Sequence, residues 1–248
     1  MPTEAGHWYQ RDGTPCYTVT GKDGKERATT LRDARKMGLV PSVTTIMKCA
    51  AAPGLTNWII EQHILACLTM PRIEGEAEAA YIARIKEDAG AQAEKARARG
   101  TQIHAWIEMF FAGVYCEEAL PFYESADKTI YEATKEEFWS AEKSFAFGRY
   151  GGKCDLHNDR YIIDFKTTEK DLAIVKTWDE HALQLSAYDH GIPTSTFPSG
   201  RKCGILYINV NTAESRLIWA KEKELEKGWK MFNALLDFWY AKTGLEAA

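Results

Sequence analysis

GGKCDLHNDRYIIDFKTT, residues 151–168, holds two short apolar runs parted by a polar turn, and it carries Asp155, Asp164 and Lys166 inside those runs. Side chains alternate faces along a strand, so Ile162, Asp164 and Lys166 share one face while Tyr161, Ile163 and Phe165 share the other. Asn158-Asp159 supplies turn chemistry. If these two residues form the whole loop, residue 157 opposes 160 and Asp155 opposes Ile162. Opposed residues point the same way, which sets Asp155 diagonal to Asp164 on the side of Lys166. A three- or five-residue loop puts Asp155 on the other face.

Two carboxylates converging beside a lysine suit a hard divalent cation. Mg²⁺ takes oxygen ligands and is commonly held by one or two carboxylates plus a substrate phosphate. Such an ion acidifies water and neutralises charge on a phosphoryl oxygen. A neighbouring lysine can orient or deprotonate that water. The set suits phosphodiester hydrolysis. On these three residues alone, an exposed strand with a surface ion pair fits equally well. Asp23-Gly24-Lys25 repeats the Asp-x-Lys spacing, but it sits in a turn without an apolar strand or an upstream Gly-Gly-x-x-Asp.

Upstream, residues 142–150 (EKSFAFGRY) read as another strand, and 202–210 (KCGILYINV) with 214–220 (ESRLIWA) as a further hairpin around 211–213. Residues 178–191 read as a helix capped by Asp179 and stopped by Gly191. In it Gln184 and Tyr188 stand four apart and can meet one phosphate or base, or form the polar edge of an amphipathic helix. Residues 16–30 predict a small hairpin turning at Asp23-Gly24. Residues 53–68 predict a helix with Leu55, Trp58, Ile59, Gln62 and Leu65 toward a core. Residues 73–99 have helix-favouring composition. A new helix is expected from Thr101 as N-cap to Gly113, with His104 and Glu108 on one face. Residues 120–140 predict another, marked by Phe122, Ile130 and Phe138. In the last helix, Trp229, Phe232, Leu236 and Trp239 form a stripe that reads as core.

The chain has 248 residues, 45% of them hydrophobic, enough to bury a core without disulfide staples. A net charge of -4 does not advertise nucleic-acid binding. Locally the balance reverses: residues 143–170 hold six Lys/Arg against four acids, so a basic patch is compatible with the mildly acidic whole. Six scattered cysteines form no CxxC pair, which argues against a zinc ribbon and suits a reducing cytosol. The N-terminal stretch shows no leader pattern, and no apolar run reaches the ~20 residues of a membrane span.

Taken in order, RGTQIHAWIE, GGKCDL, YIIDFKTT and ALQLSAY resemble the PD-(D/E)XK nuclease superfamily, in particular the RecB-like exonucleases of phages and prophages. PSVTTIMK…PGLTNW is similar to the N-terminal part of those phage proteins, so the resemblance spans about Tyr17 to Tyr188. It implies an α/β, restriction-endonuclease-like core: a central mixed sheet flanked by helices, with a helical N-terminal region. The whole chain, 1–248, would be one nuclease domain, with a hairpin and helical region over 1–99 and the catalytic core over 100–248. It implies a metal site of His104, Asp155, Asp164 and the Phe165 carbonyl, with Lys166 as catalytic lysine. Gln184 and Tyr188 match a trailing motif that contacts DNA or orders the site. Glu108 and Glu142 are candidates for an extra acid, with surface roles as the alternative.

The implied activity is a Mg²⁺-dependent deoxyribonuclease, with Mn²⁺ able to substitute, acting as an exonuclease on DNA ends or single strands. A structure-selective endonuclease or nickase, and a catalytically silent DNA-binding accessory protein, are the alternatives. Arg149, Lys153 and Lys170, with Arg97 and Arg99, are candidate phosphate contacts. Trp106 and Tyr150 are candidate stacking rings, with core packing the alternative for Trp106. Some relatives carry a four-cysteine iron–sulfur cluster; this chain has no C-terminal cysteine group, so none is expected. A single-strand annealing or recombination protein is an implied partner. The implied location is cytoplasmic, in a bacterial host if phage-encoded.

Overall fold

A computed structural model describes residues 6–51, 53–193 and 200–246; the first five residues of the stretch read for a leader lie outside them. The described residues form two compact units, one from residues 1–50 and 104–248 and the other from 51–103.

The first unit opens with β1 (Trp8–Tyr9), β2 (Thr18–Thr20), β3 (Glu26–Ala28), α1 (Leu31–Met37), β4 (Val40–Pro41) and α2 (Val43–Met47). The β2–β3 hairpin turns at Asp23-Gly24 as expected, and Gly24 takes φ +77°. β1 pairs antiparallel with β4.

The second unit is built from α3 (Pro53–Thr69) and the first part of α4 (Glu78–Phe111). The expected core face of α3 is not buried. Leu55 and Leu65 are 58% and 52% exposed, Ile59 is exposed too, and Trp58 and Gln62 are half-buried. The helix is apolar nearly all round, and among the described residues the unit's buried cluster is Ala66 with Ile85 and Ala89. So short a segment has too little partner surface to cover it. The expected break before Thr101 is also absent, because α4 runs unbroken through Gly90 and Gly100. A helical glycine costs only about 1 kcal/mol against alanine, which neighbouring turns can absorb. Gly113, at φ +81°, does end the helical run.

The rest of the first unit follows in order: α5 (Leu120–Thr134), β5 (Ser140–Phe147), β6 (Tyr150–His157), β7 (Tyr161–Thr168), α6 (Asp179–Gly191), β8 (Lys202–Asn209), β9 (Ser215–Trp219) and α7 (Glu222–Thr243). α5 stops at Lys135, which takes the left-handed φ of 60°, so Phe138 falls beyond the helix and is 84% exposed. α6 starts one residue past its cap: Trp178, not Asp179, is the N-cap, and its N–H donates to His181 Nδ1 at 3.1 Å.

The five strands β5 to β9 form one mixed sheet in sequence order. Only β7 and β8 run parallel, and the crossover that a parallel pair requires carries α6. Ile162, Cys203, Ile205 and Tyr207 pack with α6 and with Phe232, Leu236 and Trp239 of α7, so the aromatic stripe is core as expected. The alternate set, Ile163, Phe165, Leu206 and Ile208, is equally buried on the other face. α5 lies on that face: Ser215 opposes Ile208, and its hydroxyl donates to the Ser125 carbonyl at 2.8 Å. Each such aliphatic or aromatic contributes about 1.5–3 kcal/mol when fully buried.

β6 and β7 pair only briefly. His157 opposes Ile162 and Leu156 opposes Ile163. The expected partner of Ile162 was Asp155. Four residues, 158–161, lie between the innermost paired residues, so of the open alternatives the even one holds, with the register shifted by two. Asn158 sets the loop's length: the side-chain oxygen accepts from the N–H groups of Arg160 and Tyr161, both at 2.9 Å. One step beyond the last pair, Asp155 would oppose Asp164. No backbone pair is made there, and the strands part.

Candidate metal centre

The site is built where β6 and β7 separate. The Asp155 carboxylate takes the place of a backbone carbonyl and accepts the Phe165 N–H at 2.7 Å. The N–H and C=O of one strand residue point to the same edge, so the Phe165 carbonyl is also directed toward the gap. Asp155 Oδ2 lies 3.8 Å from His104 Nδ1. His104, on α4, rests edge-on against the Phe165 ring with centroids 5.8 Å apart. One helical turn on, Glu108 joins them. Donor atoms of His104, Glu108 and Asp155 all lie within 4.8 Å of one another.

On the α6 face, Lys166 forms an ion pair with Asp164, whose side chain is 3% exposed. Lys166 Nζ also donates to Gln184 Oε1 at 3.1 Å, and Gln184 Nε2 donates to the Tyr188 hydroxyl at 2.9 Å. Gln184 and Tyr188 are both buried, so they hold the lysine rather than offer an open contact. Asp164, an expected metal ligand, thus turns to Lys166 and stands outside the His104–Glu108–Asp155 group.

Glu142 falls opposite Asp155 on β5, between the pairs Ala141–Leu156 and Lys143–Cys154, and forms no backbone pair there. Its φ of 56° is left-handed. For a residue with a long side chain this costs about 1–3 kcal/mol and clusters at functional sites. The twist sends its carboxylate to Lys153, with which it forms an ion pair, and to the Glu108 carboxyl.

Electrostatics divide these groups by role. Burial, then the charge of Asp164, pushes Asp155 up to about 7, against the pull of Lys166 and the Phe165 N–H. Burial, then the hydrogen bond and charge of Glu142, pushes Glu108 up to about 8. Glu142 moves the other way: burial opposes its charge, but hydrogen bonds from Glu108 and Lys153 outweigh it. At neutral pH the Glu108–Glu142 pair therefore shares one proton, held on Glu108. Burial drives His104 down to about 4, leaving a neutral imidazole able to ligate. Burial opposes the Lys166 charge, yet Asp164 and Asp155 raise its pKa above the usual value, so it is an ammonium.

The donor set fits a divalent cation. An ion bound at about 2.1 Å separates its ligands by roughly 3–4 Å, and the three donors need only a small inward adjustment to meet that. One imidazole among carboxylates suits Mn²⁺ at least as well as Mg²⁺.

The other expected residues divide. Lys153 reaches the site through Glu142. Arg149 sits in the β5–β6 turn and pairs with Asp237 of α7 at 2.6 Å. Lys170 is exposed just past the end of β7. Arg97 and Arg99 fall in the other unit, where Arg97 pairs with Glu94. Tyr150 cannot stack on a base: it is 2% exposed, and its hydroxyl donates to the Ala187 carbonyl at 2.9 Å. Trp106 is half-buried against Phe122.

Sequence reasoning missed Tyr9. A Cβ at Gly151 would lie 2.8 Å from Tyr9, and one at Gly152 would lie 2.9 Å from Phe145. The Gly-Gly pair was the available signal, since a strand glycine often marks a close approach.

No family model matches the chain, and no curated protein matches it. Among solved structures it is similar to a candidate exonuclease from Eubacterium rectale, at 13% identity and a TM-score of 0.39, over 60% of this chain and 69% of that one. It is also similar to SSO0001, at 13% identity and a TM-score of 0.31, over 75% of this chain and 86% of that one. Likenesses this distant carry no weight for the site, whose chemistry rests on its own geometry. Among the described residues, no helix is long and apolar enough to cross a membrane.

Proposed function

We propose that the protein is a metal-dependent deoxyribonuclease, an exonuclease acting on DNA ends or single strands in phage-type DNA recombination or processing. The observation that carries the proposal is the grouping of His104, Glu108 and Asp155 beside the Asp164–Lys166 pair. His104, Glu108, Asp155 and the Phe165 carbonyl would hold the cation. Once bound, a divalent cation supplies Lewis-acid chemistry, lowering the pKa of water and neutralising charge on a phosphoryl oxygen.

The remaining work belongs to the chain's own groups. Lys166 is charged and held between Asp164 and Gln184, so it orients an anionic oxygen of the scissile phosphate and does not serve as a base. Asp164 keeps that ammonium charged, and Gln184, steadied by Tyr188, fixes its position. Glu142 accepts from both Glu108 and Lys153, giving the Glu108 proton a partner. Lys153 and Lys170 are the cations disposed to meet the strand, and binding through them is salt-dependent.

The test is cleavage by purified protein with Mg²⁺ or Mn²⁺. Substrates are end-labelled linear duplex, single-stranded oligonucleotide and covalently closed circles. Shortening of linear and single-stranded DNA with circles intact is expected. Nicking of circles would favour the endonuclease alternative, and no cleavage of any nucleic acid would overturn the proposal.

A further inference from the structure

His7 and Tyr17 form a stacked pair, with ring centroids 4.6 Å apart and planes 30° from parallel. The Tyr17 hydroxyl is hydrogen-bonded to that of Tyr9 at 2.6 Å. Tyr9 is buried over Gly151, where any side chain would collide with it. The backbone is pinned at the same place: the His7 carbonyl accepts the Ser42 N–H at 2.9 Å, and Ser42 bridges to Gly151. The ring group therefore stands at a fixed position over β6, and His7 remains exposed.

Gly151 and Lys153 share a face of β6, because they are two residues apart. Lys153 pairs with Glu142, whose carboxylate meets Glu108 of the metal centre. Three stations thus line up along one strand: the ring group anchored at Gly151 through Tyr9, the ammonium of Lys153, and the carboxylates around Asp155. Successive stations are two residues apart, about 7 Å. A nucleic-acid strand offers the matching order of base, bridging phosphate and scissile phosphate.

We infer that the outer face of His7, backed by Tyr17, is a stacking subsite for an unpaired base one nucleotide removed from the scissile phosphate, with Lys153 gripping the phosphate between. The inference rests on the nuclease proposal and narrows its substrate to a single strand or a frayed end. A duplex keeps its base faces covered, whereas aromatic platforms take bases from single strands whatever their sequence. Burial, then the charges of Lys48 and Lys153, holds His7 below its usual value and keeps the ring neutral. The same two lysines supply the positive charge that a backbone needs.

The test is binding in chelator, where no metal-dependent cleavage intervenes. The probes are a single-stranded oligonucleotide carrying 2-aminopurine near its end and a blunt duplex of the same sequence. Wild type is expected to quench the probe on binding. His7→Ala and Tyr17→Ala should lose the quenching and bind single strands roughly 5- to 150-fold more weakly, the range set by one stacked base. His7→Phe and Tyr17→Phe, which keep a ring, should restore both, and duplex affinity should stay within about twofold throughout. Wild-type quenching and affinity in both alanine variants would overturn the subsite. An equal loss on the duplex would overturn the single-strand assignment. Absence of metal-dependent cleavage by wild type would overturn the nuclease proposal alone, since the binding result is read without metal.

Discussion

The Asp155 carboxylate accepts the Phe165 backbone N–H at 2.7 Å, and β6 and β7 make no further backbone pair beyond that point. One hydrogen bond thus opens the sheet. It also brings His104 and Glu108 from one side within reach of the Asp164–Lys166 pair on the other.

Asp155 has separable structural and chemical tasks. Asp155→Asn keeps an oxygen for the Phe165 N–H and loses the charge. It should fold with a melting temperature within a few degrees of wild type and lose metal-dependent cleavage. Asp155→Ala strands the N–H, which costs about 1–3 kcal/mol. It should melt lower than the asparagine variant by roughly 2–4 °C for each kcal/mol. Equal melting of the two variants would remove the structural task.

Asp164 and Lys166 depend on each other. Lys166→Met leaves a carboxylate with a side chain only 3% exposed and no cation beside it. Breaking a buried pair from one side costs about 3–5 kcal/mol, whereas replacing both partners is often nearly neutral. Adding Asp164→Asn to Lys166→Met should therefore recover most of the lost stability in urea, with cleavage absent throughout. Additive losses would mean that the pair is not coupled.

Glu108 gives the metal-free protein a pH-dependent stability of known sign. Its ordinary value is 4.5, and in the fold it rises to about 8. Between those values the folded chain binds more protons than the unfolded one, so stability falls as pH rises. Glu108→Gln removes that slope. The downward shift of His104 acts with opposite sign, between about 4 and 6.5, in both proteins, so it drops out of the comparison. In chelator the two should melt within a few degrees of each other near about pH 5, and the variant should melt clearly higher near about pH 8.5. Parallel melting curves would contradict the shared proton of Glu108 and Glu142.

Gln184 acts through Lys166, so Gln184→Leu should lower kcat about 10- to 100-fold, the usual effect of losing a supporting partner, with KM little changed. A raised KM with intact kcat would show that Gln184 touches DNA instead.

The sheet's strands were legible from short apolar runs broken by Gly148 and by Asn158-Asp159. Strand alternation alone placed Asp164 with Lys166, and helical spacing placed His104 with Glu108 and Gln184 with Tyr188. The register of β6 was not legible, because a side chain, Asp155, ends the ladder and Asn158 lengthens the loop. Nor was the left-handed Glu142, since nothing local marks a glutamate for that conformation. The exposed face of α3 escaped because periodicity reports apolar positions and says nothing about whether enough surface exists to cover them.

The most direct test of the metal centre is a crystal structure with Mn²⁺, read by its anomalous scattering. The expected result is a peak between His104, Glu108 and Asp155, within bonding distance of all three. A peak that avoids Asp155, or none at saturating Mn²⁺ with Asp155 still on the Phe165 N–H, would contradict it.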